Sequence, residues 1–158
     1  MGTRCYICVE LTDEQKKKLH TEKQFYGVYC ALNGMIEGGV GETLYVHYHT
    51  NSKAFRLVKH GDIHVLGNLI KETQFLNTHY SECVTFNEED INNTFGFMIQ
   101  YVYLHRLNGG WEVRTSTPRN RYQQRGFLYN RAAFSNLIKR PIKKRFFFLN
   151  AKDYHNRT

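Results

Sequence analysis

The sequence predicts an α+β fold in which helices pack against a central antiparallel sheet. Three observations predict it. Short apolar runs have the length of strands, polar segments between them begin with helix caps, and the two kinds alternate in the order β-α-β-β-α-β-α. With 158 residues, of which 41% are apolar, the chain is long enough to build a hydrophobic core. No run approaches the ~20 consecutive apolar residues of a membrane span, so we expect no membrane partner.

The first half of the chain is predicted to contain three strands and one helix. The strands are expected at residues 4–10, 25–32 and 43–49. Thr12 is a predicted N-cap with Gln15 at the capping-box position, so a short helix should follow it. The strand at 43–49 is apolar on both sides, which favours a central place in the sheet.

The second half is predicted to contain more helix. Helices are expected at 62–75, 87–107 and 127–138, and strands at 79–86 and 111–115, and an apolar run follows at 146–149. The helix at 87–107 carries the clearest signals. Asn87 is its predicted N-cap, and acidic residues fill its first turn, where they complement the helix dipole. Its apolar stripe is Ile91, Phe95, Met98 and Val102.

Charge divides the chain into a near-neutral core at 1–110 and a basic, aromatic-rich segment at 111–158. The core holds 10 Lys/Arg and 12 Asp/Glu, whereas the segment holds 12 Lys/Arg and 2 Asp/Glu. Cations interleaved with aromatics suit single-stranded nucleic acid, so we expect this segment to bind it while packing on or extending the core. The predicted contacts are Arg114, Arg119, Arg121, Arg125, Lys139, Arg140, Lys143, Lys144 and Arg145.

Four cysteines and the absence of a recognisable signal peptide predict an intracellular, reducing compartment. Cys5 and Cys8 form a CxxC pair, but alternate positions on a strand face opposite ways. We therefore interpret them as core thiols.

A pair of histidines predicts a metal site. On a strand, His47 and His49 would project side by side and supply half of a divalent metal site. A hairpin at 38–41 would bring the Glu37 carboxylate beside them, with Glu42 and Asp62 as alternative third ligands. This set suits Mg²⁺ or Mn²⁺ acting on phosphate, and it would also suit zinc.

Two tyrosines on the predicted 87–107 helix are candidate nucleophiles. Tyr101 and Tyr103 flank its apolar stripe, and one of them could lean toward the metal-bound phosphate. Arg106 lies three residues after Tyr103, on nearly the same face, where it would steady a phosphate. Spacing alone does not choose between the two tyrosines.

These motifs resemble the HUH endonucleases, the rolling-circle replication initiators of plasmids and single-stranded DNA viruses. The resemblance covers residues 4–106 and rests on Glu37, the His47–His49 pair and Tyr103 with Arg106. It implies metal-dependent nicking and joining of single-stranded DNA at a replication origin, through a tyrosine that stays joined to the 5′ phosphate. It also implies a host nucleus or bacterial cytoplasm. Arg106 replaces the family's usual lysine, and no P-loop is present, so a helicase would be a further domain or a partner in trans.

Two other functions remain open from the sequence. Gln24 precedes Cys30 at a spacing similar to that of papain-like cysteine proteases, with His64 or His79 as the base. A non-catalytic nucleic-acid-binding protein, such as a viral regulatory protein, would need the basic C-terminal third alone.

Overall fold

A computed structural model of the chain describes residues 3–76, 83–96, 98–116, 122 and 124–127. These residues form four helices and one sheet. The helices are α1 (Asp13–Leu19), α2 (Val40–His47), α3 (Asn51–Val58) and α4 (Ile91–Thr94). The strands are β1 (Cys5–Glu10), β2 (Phe25–Cys30), β3 (Ile63–Val65), β4 (Gln74–Phe75), β5 (Val84–Phe86), β6 (Tyr101–Arg106), β7 (Gly110–Thr115) and β8 (Gln124–Phe127).

The predicted α+β class is confirmed, but the sheet is mixed rather than antiparallel. The strand order is β4-β3-β2-β1-β6-β7-β8, and β5 pairs with the first half of β2. The pairs β1–β6 and β2–β3 are parallel, while the other pairs are antiparallel. Parallel neighbours need a long crossover, and α2 and α3 supply it between β2 and β3.

The two central strands are buried on both faces. Side chains such as Ile7 of β1 and Tyr103 of β6 point into the core beneath α2 and α3. Their neighbours Tyr6 and Leu104 point into a second core that contains Phe86 and other side chains from residues 84–99. A strand buried on both faces is a continuous apolar run without alternation, so its period does not distinguish it from a buried helix.

Several predicted elements are confirmed. Strands β1, β2 and β7 lie where they were expected. Helix α1 begins with the predicted capping box, in which Thr12 Oγ1 accepts from the Gln15 backbone and Gln15 Oε1 accepts from the Thr12 backbone. Strands β7 and β8, from the basic segment, extend the sheet from β6. The predicted helix at 127–138 and the apolar run at 146–149 lie outside the described residues, apart from Phe127.

Three predicted elements are wrong. The predicted strand at 43–49 is helix α2, because its buried residues Val40, Leu44 and Tyr45 follow a helical period. The predicted helix at 62–75 is instead β3, a single helical turn at Ile70–Glu72 and β4. The predicted helix at 87–107 is a turn at Glu88–Asp90 and the short α4, followed by β6.

No helix among the described residues is long and apolar enough to cross a bilayer.

Candidate functional site

The structure does not assemble the predicted metal ligands. His47 ends helix α2, and His49 lies in the short connection before α3, so the two are not alternate residues of one strand. Glu37 lies close to Glu42 at the start of α2, where burial first and the Glu37 charge second raise the pKa of Glu42. Asp62 Oδ1 accepts the backbone N–H of Tyr29 at 3.0 Å.

Among the described residues, no group of three His, Cys, Asp or Glu side chains is placed to hold a metal ion. Glu37, His47 and His49, the predicted ligands of Mg²⁺ or Mn²⁺, are therefore not brought together as one group in this structure. The physical reason is that helix α2 ends at His47, so His47 and His49 do not share a strand face, and Tyr48 between them is buried in the core.

The predicted nucleophile lies inside the protein. Tyr103 is 0% exposed on the central strand β6, and its hydroxyl donates to the carbonyl oxygen of Gly34 at 2.7 Å. Burial, followed by the nearby Cys5, raises the pKa of Tyr103, so its hydroxyl stays protonated. Tyr101 is partly buried, and its ring stacks on Tyr103 with centroids 6.1 Å apart. The nicking hypothesis expected both tyrosines on a helix, but both lie on strand β6.

Arg106 and Arg114, both predicted to hold phosphates, instead form a closed ion-pair network on one face of the sheet. Arg106 contacts Glu88 and Glu112 at 2.8 Å each. Arg114 contacts the same two carboxylates at 2.6 and 2.8 Å. Glu112 is 0% exposed, and the hydrogen bonds from Arg106 are the main cause that lowers the pKa of Glu88 to about 2. These two arginines are therefore already neutralised by protein carboxylates.

The remaining predicted contacts of the basic segment cannot be placed. Arg125 lies on β8, opposite Arg114 in the register, and only its backbone position is described. The others lie outside the described residues: Arg119, Arg121, Lys139, Arg140, Lys143, Lys144 and Arg145.

The residues of the cysteine-protease alternative are also apart. Cys30 is fully buried at the end of β2, opposite Cys5, and its thiol contacts the carbonyl oxygen of Leu32 at 3.6 Å. Gln24 Oε1 accepts the Glu88 backbone N–H at 2.8 Å instead of facing a nucleophile. His64 is an exposed residue of β3, and His79 lies outside the described residues.

A groove that sequence reasoning missed lies between the α2–α3 corner and the loop after β3. Its volume is about 320 Å³. We call it the basic groove, and its lining residues are His47, Tyr48, Lys53, Arg56, Asn68, Leu69, Ile70 and Lys71. Tyr48 is buried and Ile70 is partly buried. The cations Lys53, Arg56 and Lys71 are exposed. The groove therefore combines apolar walls with a cationic rim.

One wall of the groove is the exposed face of α3. Thr50 caps this helix, because its hydroxyl accepts the backbone N–H of Lys53 at 3.1 Å. The buried face of α3 is apolar, including Phe55 and Leu57, and packs on the sheet. Lys53 and Arg56 are three residues apart, so they lie together on the opposite, solvent-facing side.

The other wall is a loop, residues 67–73, that is held in one shape by hydrogen bonds. The Tyr48 hydroxyl donates to the carbonyl oxygen of Gly67 at 2.8 Å. Thr73 Oγ1 accepts the backbone N–H of Gly67 at 3.1 Å and donates to the carbonyl oxygen of Leu69 at 3.0 Å. A Cβ on Gly67 would lie only 2.7 Å from the backbone of Glu72, so glycine permits the closure of the loop. The loop presents Asn68, Leu69 and Lys71 to the groove.

Two buried side chains of the sheet hold the corner between α2 and α3. Trp111 Nε1 donates to the carbonyl oxygen of Tyr48 at 2.9 Å. His105 Nε2 lies 2.9 Å from the carbonyl oxygen of His49, and a carbonyl can only accept, so this nitrogen carries the proton. Burial is the main cause that lowers the pKa of His105, so its ring stays neutral near pH 7. Both contacts fix the backbone that carries His47.

In the part of the chain that the structure describes, the cations of the basic groove have no carboxylate partner. Among the described residues, the ion pairs are Lys18–Glu14 and the network of Arg106 and Arg114, so Lys53, Arg56 and Lys71 form none. No acidic side chain of the described residues lines the groove, although Glu72 follows Lys71 in the chain. Such a site can attract and hold an anionic group.

A local count of charges would have found the basic excess around the groove, but not the groove itself. Residues 47–71 hold four Lys/Arg and one Asp, whereas the whole of residues 1–110 has an acidic excess. Averaging the charge over residues 1–110 hid this local basic excess. The contact between α3 and the loop at 67–73 is tertiary, so no local pattern in the sequence specifies it.

Comparison of the chain with protein-family models, curated protein sequences and solved structures finds no match in any of the three.

Proposed function

We propose that this protein binds nucleic acid through the basic groove. The observation that carries the proposal is the set of exposed cations Lys53, Arg56 and Lys71, which share one groove that no carboxylate of the described residues lines. Phosphates are the anions that such a rigid, cationic surface binds most readily along a chain.

The distribution of charge over the whole chain supports the same function. Residues 111–158 carry 12 Lys/Arg against 2 Asp/Glu, and this composition also favours a polyanionic partner. Several separate phosphate contacts release several counterions, which gives an affinity that falls steeply with salt. Nothing in this proposal requires a metal ion or a covalent step.

Metal-dependent nicking of single-stranded DNA is a separate hypothesis, derived from the resemblance to HUH endonucleases. It requires a nucleophile that reaches the DNA backbone. Tyr103 is fully buried, and its hydroxyl is occupied by Gly34. The proposed function therefore stops at binding.

The test is the affinity of the intact chain for a labelled single-stranded oligonucleotide, measured by fluorescence anisotropy between about 50 and about 200 mM salt. We expect the affinity to fall steeply over this range. Arg56→Glu should weaken binding at least tenfold and make the dependence of log Kd on log salt shallower by about 1.

Lys17→Glu is the matched control, because Lys17 is an exposed lysine of α1 that does not line the groove. It should change the affinity much less than Arg56→Glu. Equal losses in the two variants, or an affinity that does not depend on salt, would contradict the proposal.

The same mixture, incubated with Mn²⁺ and run on a denaturing gel, tests the nicking hypothesis. Binding without a covalent protein–DNA band is the result we expect. A covalent band that disappears with Tyr103→Phe or Tyr101→Phe would establish nicking instead.

A further inference from the structure

The basic groove has more apolar surface than phosphate binding needs. Lysine and arginine side chains alone are enough to follow a phosphate backbone. Here the cations surround a depression whose walls include Tyr48, Leu69 and Ile70. Leu69 is 49% exposed, which leaves a large aliphatic side chain facing solvent beside the cation Lys71.

Leu69 lies on a fixed loop at the groove, so it offers a preformed apolar contact to a ligand that is bound there. Hydrogen bonds made by Tyr48 and Thr73 fix the loop before a ligand binds. Leu69 therefore loses little conformational freedom on binding. A preformed site of this kind loses less conformational entropy on binding. The ligand is therefore expected to present a flat or apolar group next to an anionic group.

We propose that the basic groove receives one unpaired nucleotide, with its base against Leu69 and Ile70 and its phosphates on Lys53, Arg56 and Lys71. This inference rests on the proposed function, and it adds that the nucleic acid is single-stranded at this point. Bases have apolar faces whatever their identity, so apolar walls bind them without reading sequence.

The size of the groove agrees with a single nucleotide. A volume of about 320 Å³ lies at the lower end of the range for pockets that hold small ligands. In a duplex, both faces of every internal base are stacked on neighbours, so no base face is free to enter such a groove. Asn68 adds an amide at the rim that can donate and accept hydrogen bonds.

The experiment compares three labelled probes with the intact chain: a single-stranded oligothymidine, the same strand with abasic sites at every position, and a duplex of the same length. The two single strands carry the same phosphates and differ only in their bases. We expect the oligothymidine to bind about tenfold or more tightly than the abasic strand, since only a strand with bases can pack a base face on Leu69 and Ile70. The duplex should also bind more weakly.

The Leu69→Ala variant tests whether the preference for a strand with bases arises in the groove. It should weaken oligothymidine about fivefold and leave the abasic strand unchanged, because only the base contacts Leu69. Leu107→Ala is the matched control, since Leu107 is 44% exposed and does not line the groove. Both leucines are exposed, so folding should be unaffected, and urea unfolding checks this.

The outcomes separate this inference from the proposed function. Equal, salt-sensitive binding of the normal and abasic strands would overturn the nucleotide pocket and leave nucleic-acid binding intact. Binding of the duplex as tightly as the single strand, or loss of affinity in Leu107→Ala equal to that in Leu69→Ala, would also overturn the pocket. Failure of all three probes to bind would overturn the proposed function itself.

Discussion

Two groups of basic side chains in this protein have opposite environments. Arg106 and Arg114 lie on the sheet with side chains 17% and 11% exposed, and both are bonded to Glu88 and Glu112. Lys53 and Arg56 lie on the exposed face of α3 and form no ion pair among the described residues. The first group contributes to the stability of the fold, and the second is available to a ligand.

Burial explains the difference. A charge removed from water is tolerated only where opposite charges and hydrogen bonds replace its solvation, so arginines on a packed sheet must have carboxylate partners. A cation on an exposed helix face keeps its water and needs no partner. Both groups are Lys or Arg residues in the sequence, and only the fold determines which of them are accessible to a phosphate.

The largest effect on stability is expected from Glu112→Ala. Glu112 is 0% exposed, and its removal leaves two partly buried guanidinium groups with Glu88 as their only carboxylate among the described residues. Breaking a buried pair in this way costs about 3–5 kcal/mol in the free energy of unfolding, which urea titration measures. Glu14→Ala is the control, because Glu14 is 82% exposed in a 3.9 Å pair with Lys18, and it should cost at most about 0.5 kcal/mol. A similar, small loss in both variants would show that the network does not hold the sheet.

The second-largest loss of stability is expected from a substitution in the loop at 67–73, which forms one wall of the basic groove. Gly67→Ala would place a methyl group 2.7 Å from the backbone of Glu72, so the loop has to open. We expect a loss of about 1–3 kcal/mol in the free energy of unfolding, together with weaker oligonucleotide binding. Gly96→Ala is the control, since nothing lies within 4 Å of its Cβ position, and it should change stability by less than about 0.5 kcal/mol. Normal stability and binding in Gly67→Ala would mean that the loop is not fixed as described.

A smaller loss of stability is expected at acidic pH, where Glu88 becomes protonated. Its pKa is lowered to about 2 in the folded protein from an ordinary value of 4.5, chiefly by the hydrogen bonds from Arg106. The unfolded chain therefore binds the proton first, and the stability that Glu88 contributes above pH 4.5 is lost as the pH falls toward about 2. Glu88 is partly exposed, so solvent screens the interaction and the loss is smaller than for Glu112.

Urea unfolding of Glu88→Gln across this pH range isolates the contribution of Glu88. The variant should be less stable than the wild type at pH 6, and the difference should shrink as the pH falls from about 4.5 toward about 2. A difference that stays constant with pH would exclude Glu88 as the titrating group.

The smallest effect on stability is expected from the groove cations. Lys53→Glu should change the free energy of unfolding by less than about 0.5 kcal/mol, since Lys53 is exposed and unpaired among the described residues. Its affinity for a single-stranded oligonucleotide should nevertheless fall at least tenfold, as measured by anisotropy at about 100 mM salt. A variant that loses stability but not affinity would reverse the roles of the two groups.

Local signals in the sequence predicted local structure well. The capping box of α1 needs only Thr12 and Gln15, three residues apart, and the structure contains both of its hydrogen bonds. Strands β1 and β2 are short apolar runs between polar breaks, and both were predicted. Each of these signals depends on neighbours in the sequence.

The predicted site failed where tertiary burial decides the structure. The segment around His47 was interpreted with the two-residue period of a strand, although the buried positions Val40, Leu44 and Tyr48 follow a helical period. Strand β6 is apolar on both faces because it is central, and its run of apolar residues was mistaken for a helical stripe that exposes Tyr103. The basic groove joins residues 47–56 with residues 68–71, so its shape follows from packing and not from any motif.

Hydrogen–deuterium exchange of the intact chain, with and without a single-stranded oligonucleotide, tests the central claim most directly. The basic groove predicts slower exchange at residues 47–59 and 66–73 when the oligonucleotide is bound, with no change at 101–115, where Arg106 and Arg114 are already paired. Protection at 101–115 without protection at 47–59 and 66–73 would contradict the account.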